Sequence, residues 1–170
     1  MKKISLIAAI GFLTLSVNSF GQQTSSATAS ASATIITPIS ISKTIDMNFG
    51  NIAVGASLGT VVLATDGSRT KTGGVTLPAT TGSPAAASFA VTGQGSYTYA
   101  ITLPASATTI TDGSSHNMTV DTWVSNPATT GTLSSGAQTL LVGATLHVAA
   151  NQATGSYTSA TPFTVTVNYN

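Results

Sequence analysis

Acid–base or metal chemistry in this sequence depends on two histidines and four aspartates, because glutamate and cysteine are absent: His116, His147, Asp46, Asp66, Asp112 and Asp121. Asp66 and Asp112 each precede a glycine, where an aspartate closes a turn by accepting backbone N–H groups. The histidines have neither H-x-H nor H-E-x-x-H spacing, and a zinc site needs at least a third ligand, for which Asp121 is the candidate beside His116. We therefore expect no metal site and no cofactor.

The sequence also offers few side chains that could catalyse a reaction. Asp46 and Asp121 are left for a glycosidase-like pair, which needs carboxyl groups about 5 to 10 Å apart in a cleft lined by aromatic side chains. A serine nucleophile needs a strand-to-helix turn, which an all-β chain does not offer. With charged residues at 5% of the chain, we expect no catalytic residue and do not expect an enzyme.

The first 21 residues are typical of a Sec-type signal peptide. Lys2 and Lys3 precede an apolar run over residues 4–17, and Asn18-Ser19-Phe20-Gly21 provides a small-x-small cleavage site. We expect cleavage after Gly21 and export to the periplasm, the cell surface or the medium of a Gram-negative bacterium. The apolar run is shorter than the roughly 20 residues of a membrane-spanning helix, so no integral membrane segment is expected after cleavage.

Cleavage leaves a mature chain that is slightly acidic. Its three cations, Lys43, Arg69 and Lys71, are outnumbered by four aspartates, so its net charge is −1 with neutral histidines. Nucleic-acid binding requires clusters of Lys and Arg that neutralise phosphates. We therefore expect no nucleic-acid partner.

A low-complexity extension, residues 22–33, follows the leader. It lacks large apolar side chains and should not fold alone. Its small apolar residues nevertheless alternate with Ser and Thr, which is the period of a β-strand: Ala27, Ala29, Ala31 and Ala33. Two interpretations stay open, a solvated linker and a donor strand that joins the sheet of a partner.

The remainder, residues 34–170, is predicted to be one all-β domain. Runs rich in Val, Ile, Thr, Tyr and Phe alternate with Gly, Asp-Gly or Pro breaks, and no helical apolar period is present. The predicted strands are residues 34–42, 58–65, 74–77, 87–92, 96–103, 117–124, 138–148 and 163–169. About eight uneven strands favour an immunoglobulin-like, two-sheet antiparallel sandwich.

Two of these strands carry candidate contact residues. The last strand places four apolar side chains on one face and is a candidate edge strand: Phe163, Val165, Val167 and Tyr169. If Met118, Val120 and Val124 face the core, Trp123 points outward with Thr119 and Asp121. An outward Trp indicates either a bulge or a contact for a carbohydrate or protein partner.

Eight stretches of the mature chain carry a family resemblance: 33–43, 47–55, 72–75, 89–93, 97–99, 142–146, 157 and 163–170. Together they resemble a bacterial secreted family catalogued as domain of unknown function 4402. The resemblance implies an exported β-sandwich protein of the Gram-negative envelope and assigns no activity.

The chain is also similar, more weakly, to chaperone-usher pilin subunits. The shared features are an extension ahead of an immunoglobulin-like domain and a terminal strand with a penultimate tyrosine, here Tyr169. The resemblance implies that one subunit's extension fills a groove in the next by β-strand addition. This chain departs from the pattern in having no cysteine pair, small donor side chains and a different position for Gly155.

Two functions follow as expectations. The first is a non-catalytic structural or adhesive subunit of a surface polymer, which associates with itself or with other envelope proteins through the extension and an open sheet edge. The second is a monomeric extracellular binding module that contacts a carbohydrate or protein ligand, with Trp123 in the contact.

Overall fold

The structure is a computed structural model that describes Gly21 and residues 23–170. The predicted leader lies outside the described residues except for Gly21, as does Gln22. The folded unit is Ile35–Asn170. Residues 23–34 are exposed along their whole length and belong to no strand, so the alternating alanines take no part in a sheet of this structure.

Eleven strands make up the regular structure of the folded unit, and every pair is antiparallel. They are β1 (Ser40–Ile45), β2 (Ala53–Leu63), β3 (Arg69–Thr76), β4 (Ala87–Thr92), β5 (Thr98–Thr102), β6 (Thr108–Thr111), β7 (Asn117–Asn126), β8 (Thr130–Thr132), β9 (Ala137–Val148), β10 (Thr158–Ser159) and β11 (Thr166–Tyr169). The two-sheet all-β sandwich predicted from the sequence is confirmed. The count exceeds eight because β6, β8 and β10 have only two to four residues.

The larger sheet has the order β1-β4-β9-β7-β6-β10, with β2 also paired to β9 and β3 paired to β2. The smaller sheet has the order β11-β5-β8. The twelve-residue strand β9 is the centre of the larger sheet. Along one side it pairs first with β4 and then with β2, while β7 occupies the other side.

A single glycine permits this change of partner along β9. Gly143 lies between the part that pairs with β4 and the part that pairs with β2. A Cβ at this position would overlap the carbonyl oxygen of Leu63, so only glycine lets the end of β2 pass so closely.

Strict alternation along the strands fills the interior. In β9, Leu140, Val142, Ala144, Leu146 and Val148 are buried, and the residues between them point to the outer face. The buried side chains form two clusters. The first contains Ala87, Val91, Tyr99, Leu133, Leu140, Val142, Val165 and Val167. The second contains Val61, Val75, Val120, Ala144, Leu146 and Val148.

The two clusters have different covers. The smaller sheet contributes Tyr99, Val167 and the neighbouring Leu133 and Val165 to the first cluster, which we call the covered half. The second cluster draws its members from the larger sheet alone, and irregular segments pack against it; we call it the open half.

Within the described residues, no helix is long and apolar enough to cross a bilayer.

Candidate binding cleft

A cleft of about 1310 Å³ lies over the open half. Its floor consists of apolar side chains of the larger sheet: Ala87, Phe89, Ile110, Met118, Val120, Trp123, Leu146 and Val148. Two mostly irregular segments flank it, residues 43–54 (the first wall) and residues 152–163 (the second wall). The floor is therefore the inner surface of a sheet that a second sheet does not cover.

Hydrogen bonds outside any strand ladder fix the first wall. Asn48 exchanges two backbone bonds of 2.8 Å with Ala85. The side-chain amides of Asn48 and Asn51 donate to the carbonyl oxygens of Gly82 (3.3 Å) and Thr80 (3.1 Å). These amides act as turn-stabilising side chains that replace a missing backbone partner.

Arg69, the single arginine of the chain, ties the first wall to β3. Its guanidinium donates to the carbonyl oxygens of Phe49 (2.6 Å) and Asn51 (3.0 Å). Gly50, between them, has a φ of +69°, and a Cβ there would overlap the carbonyl oxygen of Thr81. A charged donor that bonds two carbonyl groups is a strong anchor, so the first wall is held in place without a ligand.

The second wall is built around Tyr157. Its hydroxyl donates to the carbonyl oxygen of Ala153 (2.7 Å) and accepts from the side-chain amide of Gln152 (2.9 Å). The wall includes β10, which pairs with β6 at the edge of the larger sheet. It ends in Phe163, whose ring lies over the floor.

Trp123 lies in the floor, and of the two alternatives left open for it, a bulge and an outward contact, the structure has the bulge. Pairing between β7 and β9 shifts between Asp121 and Val124, and Thr122 has a φ of +51°. This bulge places an extra residue in β7 and turns Trp123 inward, against both clusters. Val124, expected in the core, is 43% exposed on the outer face.

The aromatic rings of the cleft pack on one another. Trp123 and Phe163 are tilted by 38° with ring centroids 4.5 Å apart, and Phe163 meets Phe89 edge to face at 6.4 Å. The indole N–H of Trp123 donates to the carbonyl oxygen of Ser106 at 3.4 Å. Such aromatic pairs stabilise by about 1 kcal/mol beyond burial alone, and here they join Phe163 of the second wall to Trp123 and Phe89 of the floor.

Charge at the cleft is confined to its rim. The charged residues that line it are Lys43 and Asp46, which pair with each other at 2.7 Å while largely exposed. The rest of the lining is apolar, amide or hydroxyl. An apolar floor with amide groups at the rim suits an extended peptide or an apolar ligand.

β1 and β11 are edge strands of the larger and the smaller sheet, respectively. β1 pairs only with β4, and β11 pairs only with β5, so each leaves one edge without a partner among the described strands. The four candidate residues of the predicted terminal edge strand do not all lie in β11. Val167 and Tyr169 belong to β11, whereas Phe163 and Val165 precede it, and Val165 and Val167 are buried in the covered half.

The histidines lie away from the cleft, and each pairs with one aspartate. His116 Nδ1 contacts Asp112 Oδ2 at 2.6 Å within the β6–β7 turn, and His147 Nε2 contacts Asp121 Oδ1 at 2.8 Å on the outer face. Asp121 thus meets His147 and not His116. Among the described residues, no three His, Cys, Asp or Glu side chains are grouped as a metal site would require.

These pairs and turns lower the pKa values of three aspartates. The hydrogen bond from His116 lowers the pKa of Asp112, and that from His147 lowers the pKa of Asp121. Asp112 also accepts backbone N–H groups, with Ser114 at 2.8 Å, as the Asp-Gly turn predicts. Hydrogen bonds from Ser68 lower the pKa of Asp66.

One G-x-S-x-G run, residues 55–59, has the spacing of a serine nucleophile elbow. The structure places Ser57 inside β2, where strand continues on both sides. The strand-to-helix turn that exposes such a serine is therefore missing at this position.

Comparison with known families places the whole cleft inside one domain. A family model described as Domain of unknown function (DUF4402) matches residues 39–169. The chain belongs to this family. The DUF4402 match begins just before β1 and ends in β11, so both walls and the floor lie within it. No curated protein and no solved structure matched the chain.

Several residues that build the DUF4402 cleft carry only weak signals in the sequence. Arg69, Asn48 and Asn51 act through partners 18 to 34 positions away, which no local pattern reveals. The strongest available signal is the Asn-Phe-Gly-Asn run at residues 48–51, because Gly between amide residues is typical of a fixed turn.

Proposed function

We propose that this protein is a non-catalytic structural subunit of a surface or extracellular polymer, and that its copies join by β-strand addition. The observation that carries the proposal is the open apolar cleft over the larger sheet. In this proposal, residues 27–35 of one copy add as a strand in the cleft of a second copy.

The size of the cleft fits a strand. A residue in a two-layer sandwich takes up about 160 Å³, from its rise, the spacing between strands and the spacing between sheets. At that value a cleft of 1310 Å³ corresponds to about eight strand residues. The alternating segment from Ala27 to Ile35 has a similar length, and its last apolar residue, Ile35, is 97% exposed.

The backbone at the cleft also suits an added strand. β1 and β10 contribute residues to the cleft lining and each pairs with one strand only, so each presents unpaired N–H and C=O groups to an incoming chain. β3, the edge strand beside β2, instead carries Arg69 and Lys71, charges of the kind that discourage pairing. Strand addition is therefore favoured at the β1 and β10 edges, which border the cleft.

Electrostatics favour the same occupant. Residues 22–35 contain no charged side chain, so their burial removes no charge from water. Lys43 and Asp46 at the rim already neutralise each other. The weaker pilin similarity, with its penultimate Tyr169, supports the same arrangement.

Trp123 supports the second candidate, a monomeric binding module. The Trp123–Phe163 pair forms an aromatic surface in the floor, on which a sugar ring or an aromatic side chain of a partner would stack. This candidate needs no extension, which makes the two functions separable.

Fluorescence of Trp123, the single tryptophan, tests the proposal. A synthetic peptide of residues 22–36 is added to protein that begins at residue 34. We expect saturable binding with a blue shift in emission, because the strand excludes water from the indole. A control peptide carries Ala29→Asp and Ala31→Asp, which would bury two charges, and should not bind. Equal signals from both peptides, or none from either, would reject strand addition by this segment.

A further inference from the structure

Thr37, Gln94 and Tyr169 form a closed hydrogen-bonded network where the chain enters the sandwich. The backbone N–H of Thr37 donates to Gln94 Oε1 at 3.2 Å, and its carbonyl oxygen accepts from the Tyr169 hydroxyl at 2.8 Å. The same hydroxyl accepts from the backbone N–H of Gln94 at 2.6 Å. Each residue thus bonds both others, and we call the set the clasp.

The clasp rests on rigid surroundings. The Tyr169 ring meets Tyr97 edge to face with centroids 5.7 Å apart. A Cβ at Gly93 would overlap the Tyr169 hydroxyl, so the missing side chain provides the space that the hydroxyl fills. Gly93 donates to the carbonyl oxygen of Gly136 at 2.9 Å, which ties this turn to the start of β9.

The position of the clasp in the chain gives it a mechanical consequence. Thr37 precedes β1 by three residues, and β1 is an edge strand whose first pair is Ser40 with Thr92. Tension applied to the extension would peel β1 from β4 one pair at a time, beginning at Ser40. Both backbone polar groups of Thr37 are hydrogen-bonded. Because Thr37 precedes Ser40, these bonds would carry the tension before it reaches β1.

We propose that the clasp bears the tension that the N-terminal extension transmits, and that Tyr169 is its central positioning residue. The inference rests on the proposed function, since a held extension is what puts the chain under tension. Tension at Thr37 passes through Tyr169 into β11 and through Gln94 into the β4–β5 turn. It thereby reaches both sheets at once and bypasses the β1 edge.

Single-molecule pulling on monomers tests the clasp without requiring assembly. Because the chain has no cysteine, handles attach at Ser26→Cys and Ser156→Cys, which sends tension through Thr37. A second geometry uses Ser68→Cys and Ser115→Cys, two exposed turn positions away from the clasp. Tyr169→Phe is compared with Tyr97→Phe, which removes a hydroxyl from the neighbouring ring.

Tyr169→Phe removes two hydrogen bonds, and we expect it to raise the unfolding rate under extension pulling about tenfold. In the second geometry its rate should stay within about twofold of the parent, as should Tyr97→Phe in both geometries. If Tyr169→Phe does not fold, Gln94→Ala removes the acceptor of the Thr37 N–H and should raise the extension-pulling rate about threefold.

A rate increase that is the same in both pulling geometries would show that Tyr169 only adds general stability and would overturn the clasp. An unchanged rate under extension pulling would overturn it as well. Failure of the proposed function would be recognised by a different result: the peptide of residues 22–36 would not bind, whatever the pulling experiments give.

Discussion

The covered half and the open half of the larger sheet share the central strand β9 but have different second layers. Over the covered half, β5 and β11 bury Tyr99, whose hydroxyl donates to Gln138 Oε1 at 2.8 Å, and Thr132 donates to the same oxygen at 2.9 Å. Over the open half, the cover consists of two irregular walls and a cleft. The covered half is thus a closed hydrophobic core, whereas the floor of the open half remains accessible to a ligand.

Within one sheet, the covered half therefore contributes mainly to stability, and the open half forms the candidate binding surface. In a closed core, a substitution that removes side-chain volume destabilises the protein, because the neighbouring residues cannot relax fully into the cavity. A floor that already borders a cleft loses less when a side chain is shortened. Substitutions in the two halves should therefore have different consequences, and the following four predictions address that contrast from the largest effect to the smallest.

Leu140→Ala should destabilise the protein by about 3 kcal/mol, because Leu140 is fully buried in the covered half and its removal leaves a cavity. Met118→Ala, in the cleft floor, should cost about 1 kcal/mol, since its side chain is only partly buried. Urea unfolding monitored by circular dichroism measures both. Equal losses would contradict the distinction between the halves.

Arg69→Ala should destabilise the first wall by about 2 kcal/mol, because the carbonyl groups of Phe49 and Asn51 lose a charged donor. Binding of the peptide of residues 22–36 should weaken in parallel. Lys71→Ala removes a cation from the same strand and is the control, with an expected change below about 0.5 kcal/mol. If the control matched Arg69→Ala, the anchor role would be wrong.

Thr122→Gly should stabilise the protein by about 0.5 to 1 kcal/mol, because a β-branched residue at a φ of +51° is strained and glycine is not. Thr119→Gly, on a regular part of the same strand, should destabilise by a similar amount. Thermal unfolding distinguishes the two. A loss of stability in Thr122→Gly would argue against the bulge that turns Trp123 inward.

Acid should destabilise the protein through the aspartates whose pKa values are lowered in the folded state. The pKa values of Asp112 and Asp121 are lowered in the folded state by His116 and His147, so their contribution to stability is complete above the unfolded pKa of about 4 and is lost as the pH falls through the lower folded pKa.

Asp121→Asn tests this dependence, because it removes one of the three aspartates whose pKa is lowered. The drop in the urea midpoint between pH 5 and pH 2 should be smaller in Asp121→Asn than in the parent protein. Asp46→Asn changes the charge equally and is the control. A drop of unchanged size in Asp121→Asn would show that the His147 pair contributes nothing to stability.

The covered half was largely accessible to sequence reasoning. The alternation of β9 and of the terminal residues marks period-2 strands directly. In the open half, the turns at Asp66 and Asp112 follow from their Asp-Gly pairs. The short strands β6, β8 and β10 give no such signal, because two to four residues contain too few alternations to define a period.

The open half was less accessible because long-range contacts shape it. Alternation through β7 directs Trp123 outward unless a bulge intervenes, and the sequence left both alternatives open, because a positive φ at a threonine has no signal in composition. The walls depend on Arg69, Asn48, Asn51 and Gln152, whose partners are set by the fold. The resemblance to DUF4402 gave the family, and the cleft became visible only in three dimensions.

The mass of the mature protein in solution tests the central claim most directly. Light scattering after size exclusion compares residues 22–170 with residues 34–170 across a concentration series. Strand addition predicts higher-order species in the longer protein that disappear in the shorter one and are capped by added peptide of residues 22–36. A monomer at every concentration in both proteins would contradict self-association as an intrinsic property of the chain.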